Sequence, residues 1–520
     1  MTNYALLSVM LITLFKFRLI KDIAMLRREF LKKSTYLGTC AIIASQCPAV
    51  FGANAKPQPS HSSAIQSSFL GWQGVTDNID PHFEPWQGEL PVQLQGMTFF
   101  RNGPGMQERA GQRYSHWFDG DGFVNQFKFS QHGVTHQGKF TQTQKFVEES
   151  KAGRFLYNGA GSIITNAKPA KNTQVFNTAN TALLPMAGEL WAMWEAGTPY
   201  RLDQETLATK GQVDFGSELN GVPFSAHPHA DSDGTIWNFG DISFTGKPCI
   251  VVYQLTAQGG IKRYKLLPLP HHSYIHDFAV TEQYLIFYLP PMLQQLGETY
   301  IERFKWQKQL GSRVLVVDKH SLQVVNQMEL EAGFVFHFGN SWQQNNELVV
   351  NLCLYPDATV MTDVMANIDN HQNRIAHEPA KAAQLRLNLV TNKVSINWAE
   401  PYMEFLQFDK RFAAQSSALQ YGVGISKNNP HKEFNAITRL NTQSGQSQSY
   451  SFGDTAHVEE PLFIAKTNSN REGQGYIINT WLDYGSAKSG VAVFDAEKIG
   501  QGPLASMQLP YHLPLGFMEQ

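Results

Sequence analysis

The chain has 520 residues, 42% hydrophobic, 12% aromatic and 17% charged, which is enough apolar material for a large buried core and excludes disorder on a large scale. A formal net charge of -2 at pH 7 leaves no cationic footprint for a polyanion, so nucleic acid is excluded as a partner. None of the four cysteines stands in C-x-x-C spacing, which argues against thiolate zinc and dithiol chemistry.

In chain order, the first apolar run, "YALLSVMLITLF", is 12 residues long before Lys16, too short to span a bilayer. Next come paired Arg27 and Arg28, then Phe30, Leu31 and Lys32, a mildly apolar stretch, and small residues at Ala53 and Ala55 suited to cleavage before Lys56. This is the layout of a bacterial twin-arginine signal, with Met25 as the start. It predicts the twin-arginine export machinery as a partner and a periplasmic protein exported already folded, tethered to the membrane if the signal is not cleaved. Cys40 and Cys47 would leave with the signal. Residues 56–68, "KPQPSHSSAIQSS", read as a polar linker, so the expected organisation is an extension and signal over 1–55, a linker over 56–68 and one domain over 69–520.

From about residue 90 the chain is a succession of short apolar or alternating runs separated by Gly, Asn, Asp and Pro, among them "TIWNFGDISF", "CIVVYQLTA", "YLIFYLP", "RVLVVDKH", "ELVVNLCLY", "GYIINTW" and "GVAVFDA". These predict strands, with Cys249 and Cys353 buried inside two of them. Helical spacing of apolar residues over 290–308, "PPMLQQLGETYIERFKWQK", predicts a short helix or lid beside the sheets. Many short strands without intervening helices leave a sandwich array, a barrel or a propeller, and their number favours the propeller. "HWFDGDG" (116–122) lacks the later ligands of a calcium loop and reads as a tight turn between strands.

Three histidines stand in similar strand-like settings: His227 in "FSAHPHADSDG", His276 in "YIHDFAV" and His337 in "FVFHFGN". They are 49 residues (227 to 276) and 61 residues (276 to 337) apart, about one propeller blade each, so the inner strands of successive blades would each aim one imidazole at the central axis. Neutral imidazoles on a rigid scaffold suit iron, copper or zinc. With 17 histidines in the chain, structural roles for any one of them remain open at this point.

The motifs "FFRNGPG" (99–105) and "YSHWFDGDGFVNQFKF" (114–129), followed by the three histidine segments in order, closely resemble the carotenoid cleavage oxygenase family, over roughly residues 70–518. The resemblance implies an all-β, seven-bladed propeller with a helical and loop cap over an axial metal site. It implies Fe(2+) as cofactor, and oxidative cleavage of a conjugated double bond in a carotenoid, apocarotenoid or stilbene-like substrate by dioxygen. The partners implied are a small apolar or phenolic substrate, dioxygen and peripheral contact with a membrane.

Carried over position by position, His227, His276 and His337 match three of the family's four iron ligands, and His229 is a bystander. Glu195 in "MWEAGTPY", Glu404 in "YMEFLQF" and Glu460 in "VEEPLF" match glutamates that hydrogen-bond the outer nitrogens of ligand histidines. Tyr114 in "RYSHWF" and Lys145 in "TQTQKFVEE" lie in stretches similar to those that grip the substrate's phenol in stilbene-cleaving members.

The family's fourth histidine is replaced by Met518 in "LPLGFMEQ". His512 stands six residues away, about 20 Å of extended chain, and is a poor substitute. The terminal carboxylate of Gln520 is only two residues on. The departure predicts weaker iron binding and low or altered activity, since a thioether is a poor match for Fe(II). Two rival readings stay open: a non-catalytic propeller that binds an apolar polyene or phenolic ligand, and a propeller oxidoreductase with another metal.

Overall fold

The computed structural model describes residues 69–170, 172–242, 247–295, 297–368, 375–427, 429 and 433–519; the Met518 side chain, Gln520 and the expected signal and linker lie outside this part. Seven antiparallel sheets follow one another along the chain and close into a ring. Blades 3, 4 and 5 begin with the strands His229–Ala230, Ala279–Val280 and Phe334–Gln344. The long strand Val394–Gln407 ends blade 5 and begins blade 6, and Ala456–Val458 begins blade 7. The expected all-β propeller is therefore what the chain forms.

Burial explains why the strands read as they do. Middle strands are packed on both faces by neighbouring blades, so Cys249–Leu255 is buried throughout and reads as an unbroken apolar run. Outer strands such as Gln323–Leu330 are mostly exposed and carry polar residues. The core is a set of inter-blade seams. Trp237, Phe239 and Val252 of blade 3 meet Phe278, Leu285 and Phe287 of blade 4 in one seam, and Ile286 and Val316 of blade 4 meet Leu348 and Val350 of blade 5 in the next. Cys249 and Cys353 are buried and form no disulfide among the described residues, in keeping with the expectation of burial.

Two blades are composite. Met518–Glu519 adds to Thr98–Met106 of blade 1, with Met518 opposite Asn102 and Glu519 opposite Arg101. Gln87–Gly88 in turn adds to Ala505–Gln508 of blade 7. Arg101, 2% exposed, clamps the closure: it pairs with Glu459 of blade 7 at 3.0 Å and donates to the Gly516 carbonyl at 3.0 Å. The backbones approach too closely for side chains here, since a Cβ on Gly103 would lie 2.5 Å from the Gly516 Cα.

The cap is mostly loop. Its longest helix, Gln144–Ala152, starts at Thr143, whose hydroxyl accepts from the Phe146 amide at 3.1 Å, and ends at left-handed Gly153. The helix expected over 290–308 is instead a hairpin. Met292–Gln294 pairs with Phe304–Trp306, and short 3-10 turns cover Ile301–Arg303 and Lys308–Leu310. Pro290 and Pro291 supply no amide hydrogens, and burying Met292, Ile301 and Phe304 against Tyr274 and Phe334 satisfies the apolar spacing without a helix. "HWFDGDG" forms a 3-10 turn, Trp117–Asp119, before the strand Asp121–Phe129. Among the described residues no helix is long and apolar enough to cross a membrane.

Candidate metal centre

His227, His276 and His337 arise at the first strands of blades 3, 4 and 5 and converge. Their ligating atoms all lie within 4.8 Å of one another, and all three rings are buried. The Nε2 atoms of His227 and His276 are 2.9 Å apart, which directs both toward one point. Local sequence explains the aim. Pro228, between His227 and His229, lacks a donor and is tolerated because it stands beside an edge strand. At His337 the pairing passes from Val335–Leu354 to Phe338–Leu352, so Phe336 and His337 oppose a single residue in a β-bulge that turns the imidazole inward.

Two of the three expected glutamates hold histidines of this cluster. Glu404 Oε2 accepts from His337 Nδ1 at 2.5 Å and from the Phe405 amide at 2.6 Å. Glu404 also sits at a bulge: between the pairs Glu404–Val423 and Gln407–Tyr421 the chain fits in one extra residue, with Phe405 in the left-handed region at φ 55°. Glu195 pairs with His276 Nδ1 and accepts from the Tyr274 hydroxyl at 3.0 Å. A carboxylate can only accept, so each outer Nδ1 carries the proton and each Nε2 offers its lone pair.

Glu460 is buried and holds no histidine. Its Oε1 accepts from Gln407 Nε2 at 2.7 Å, its Oε2 has no hydrogen-bond partner among the described residues, and burial pushes its carboxyl up to about 7 against the opposing pull of His337 and Arg101. The backbone of Met518, at the position expected for a fourth histidine, pairs with Asn102 at the edge of blade 1. His512 is not part of the histidine cluster.

Sequence reading missed Asp277, directly after His276. Its carboxylate accepts from His229 Nε2 at 2.8 Å, from the Phe278 amide at 2.7 Å and from the Phe338 amide of blade 5 at 3.1 Å, and it stands 4.0 Å from His227 Nδ1. Burial alone would raise its pKa, but the His229 and His227 imidazoles hold it well below the usual carboxylate range. The signal available in the sequence was its place beside His276; His229 and the Phe338 amide lie on other blades.

The donor set fits a divalent transition metal. Burial and the neighbouring His276 hold the His227 imidazole well below its ordinary pKa, so it is neutral and ready to ligate. At His337 burial acts in the same direction, but Glu404 outweighs it and raises the pKa. Three nitrogen donors backed by anionic carboxylates suit iron, cobalt, zinc or copper. Beside them lies an aromatic cluster including Tyr274, Phe304, Phe334, Phe336 and Tyr355, packed by Phe118, Ala160 and Tyr300 from the surrounding loops.

Tyr114 and Lys145 are brought together, with the ammonium 5.0 Å from the phenol ring centre. Both are fully buried; Tyr114 belongs to a core cluster with Phe123, Phe140 and Phe155 that is separate from the aromatic cluster beside the histidines, and the Lys145 ammonium lies 5.6 Å from the Phe155 ring centre. Lys145 is already paired with Asp121 at 2.7 Å and Glu149 at 3.1 Å.

A family model described as retinal pigment epithelial membrane protein matches residues 73–518. The chain is 28% identical over 495 residues to the apocarotenoid-15,15'-oxygenase of Synechocystis sp., covering 88% of this chain and 96% of that protein. It is 27% identical to resveratrol cleavage oxygenase 1 of Aspergillus fumigatus, covering 82% of this chain and 90% of that one. With isoeugenol monooxygenase of Pseudomonas nitroreducens the identity is 24%, over 82% and 91% of the two chains. Cobalt-substituted Synechocystis ACO superposes with a TM-score of 0.79 at 25% identity, covering 88% of this chain and 98% of that structure.

Proposed function

The chain belongs to the retinal pigment epithelial membrane protein and carotenoid cleavage oxygenase family, and from that premise we propose that His227, His276 and His337 hold one Fe(II) at which a conjugated carbon–carbon double bond is cleaved by dioxygen. Its relatives are double-bond-cleaving oxygenases, and oxidative cleavage is the activity of this chain. The observation that carries the iron reading is the convergence of three buried imidazoles, each facing an acidic side chain on its outer side. Bound there, ferrous iron supplies the means of engaging dioxygen.

The chain's own residues have three tasks. Glu195 and Glu404 keep the Nδ1 protons in place, so that Nε2 faces inward on His276 and His337. The bulges at His337 and Glu404 hold the pair in register. The aromatic cluster strips the substrate of water and fixes one bond near the hub, so no side chain need act as acid or base at the reacting carbons.

The favoured substrate is an apolar polyene such as an apocarotenoid. The Lys145 ammonium is neutralised by two carboxylates within a separate core cluster, and an apolar chain asks for no polar grip. A phenolic substrate is the second reading, favoured by the adjacency of Tyr114 and Lys145. Should they grip a phenol, 4-hydroxystilbenes will be cleaved far faster than stilbenes lacking the hydroxyl, because a buried polar site left unpaired is penalised.

The deciding experiment measures metal content of the purified protein, then product formation from an apocarotenal, a 4-hydroxystilbene and a plain stilbene under labelled dioxygen. About one equivalent of iron, lost in His276→Ala, and two carbonyl products per substrate are expected. A metal-free protein that binds substrate without turnover would establish the non-catalytic reading, and stoichiometric copper or zinc the other oxidoreductase. We propose further that residues 25–55 direct export to the periplasm by the twin-arginine route. Arg27→Lys with Arg28→Lys should retain the protein in the cytoplasm, and unchanged fractionation would refute this.

A further inference from the structure

The outer partners of the three histidines are unequal. His276 and His337 each have a glutamate in direct contact with Nδ1. The nearest carboxylate oxygen to His227 Nδ1 is Asp277 Oδ1 at 4.0 Å, beyond hydrogen-bond reach. That oxygen is already engaged twice, by His229 Nε2 at 2.8 Å and by the Phe278 amide at 2.7 Å. The other oxygen, Oδ2, is taken by the Phe338 amide at 3.1 Å. A carboxylate oxygen has two lone pairs, so both on Oδ1 are spoken for and His227 is left with attraction through space alone.

We propose that His229 and His227 compete for one oxygen of Asp277, so that His229 is a positioning residue that weakens the hold of the centre on its metal through His227. This rests on the metal centre described under Proposed function. The family resemblance makes His229 a bystander, and the geometry gives it a different place: it touches the carboxylate behind His227. The two amide donors belong to the backbone and do not depend on side-chain choice. Among the described residues His229 is the one side chain hydrogen-bonded to that oxygen, and at 27% exposure it can be changed without opening the core.

The competition has a definite sign. Removing the His229 donor frees a lone pair of Oδ1 for His227 Nδ1, making this ligand more basic and better fixed. His229→Leu should therefore bind metal more tightly, by about 3- to 10-fold, a fraction of the 10- to 100-fold change usual for a full outer partner. His229→Gln offers an amide N–H to the same oxygen and should stay within about 2-fold of the wild type. Asp277→Asn removes the charge shared by both imidazoles and should weaken binding by about 10-fold or more.

The test loads the apoprotein with Co(II), which a related structure also holds, and measures affinity by chelator competition together with the hyperfine-shifted, solvent-exchangeable imidazole N–H resonances. In His229→Leu one of these resonances should shift and exchange more slowly as its proton gains an acceptor, while those of the glutamate-held rings stay in place. A purely structural role for His229 would alter the melting temperature but leave that resonance and the affinity unmoved. Unchanged or weakened binding in His229→Leu, with its N–H signals as in the wild type, overturns the proposal even if Asp277→Asn does not fold. Failure of the wild type to bind Co(II) at all would instead refute the metal centre on which the proposal rests.

Discussion

Glu460→Gln in the metal-free protein isolates a single buried carboxyl. Glu460 is 3% exposed and its carboxyl is pushed up to about 7 from an ordinary 4.5. Between these values the folded state binds the proton that the unfolded state has released, so stability falls as pH rises through the interval and the full penalty is present above about 7. At about 1.4 kcal/mol per pKa unit the penalty approaches ~3 kcal/mol. Glutamine carries no such penalty, and whatever its unpaired amide costs is the same at every pH. With an unfolding entropy of about 2 cal/mol/K per residue over about 450 residues, 1 kcal/mol moves the midpoint by about 1 °C. The melting temperature of the variant relative to wild type should therefore rise by about 3 °C between pH 5 and pH 8, measured by scanning calorimetry at one scan rate after chelation. A difference that stays constant over that range would refute the assignment of a neutral, buried Glu460.

Glu404→Gln should weaken metal binding by about 10- to 100-fold in chelator competition, since the bond from His337 Nδ1 at 2.5 Å loses its charge. Equal affinity would reduce Glu404 to packing. Met518→His should raise both iron occupancy and turnover of an apocarotenal by supplying a fourth imidazole; a wild type that already binds iron fully and turns over as fast would show that Met518 does not impair the site. Gly103→Ala places a Cβ 2.5 Å from the Gly516 Cα across the closure, and should lower stability by about 2 kcal/mol or more, read as an earlier thermal transition.

The strands were legible because packing on both faces leaves unbroken apolar runs, as in Cys249–Leu255, and the hub histidines because one falls at the head of each of three successive blades. The 290–308 segment was misread because alternate burial in a hairpin and one buried face of a helix both repeat Met292, Ile301 and Phe304 at similar intervals. Asp277 was invisible since its meaning depends on His229 of blade 3 and the Phe338 amide of blade 5, which no local pattern brings together. Tyr114 and Lys145, expected from the family resemblance to grip a phenol, stand together, but Asp121 and Glu149, which already occupy the ammonium, carried no signal in the sequence. The part of the sequence reading that concerns Met518 turns on chemistry at a side chain outside the described residues.

Ring closure has a consequence for biosynthesis. The strand Thr98–Met106 emerges from the ribosome early, whereas its neighbour Met518–Glu519 is made about 400 residues later. At a translation rate of roughly 5–20 residues per second, that edge waits on the order of 20–80 s with its hydrogen-bonding groups unpaired. An open edge accepts whichever matching strand arrives first. In a polysome or a concentrated refolding mixture the competitor is the same C-terminal segment of another copy, and the product is a strand-exchanged dimer whose two rings are each closed by the other's tail. The yield of such dimers should grow with chain concentration during folding and, once the rings have closed, become insensitive to dilution.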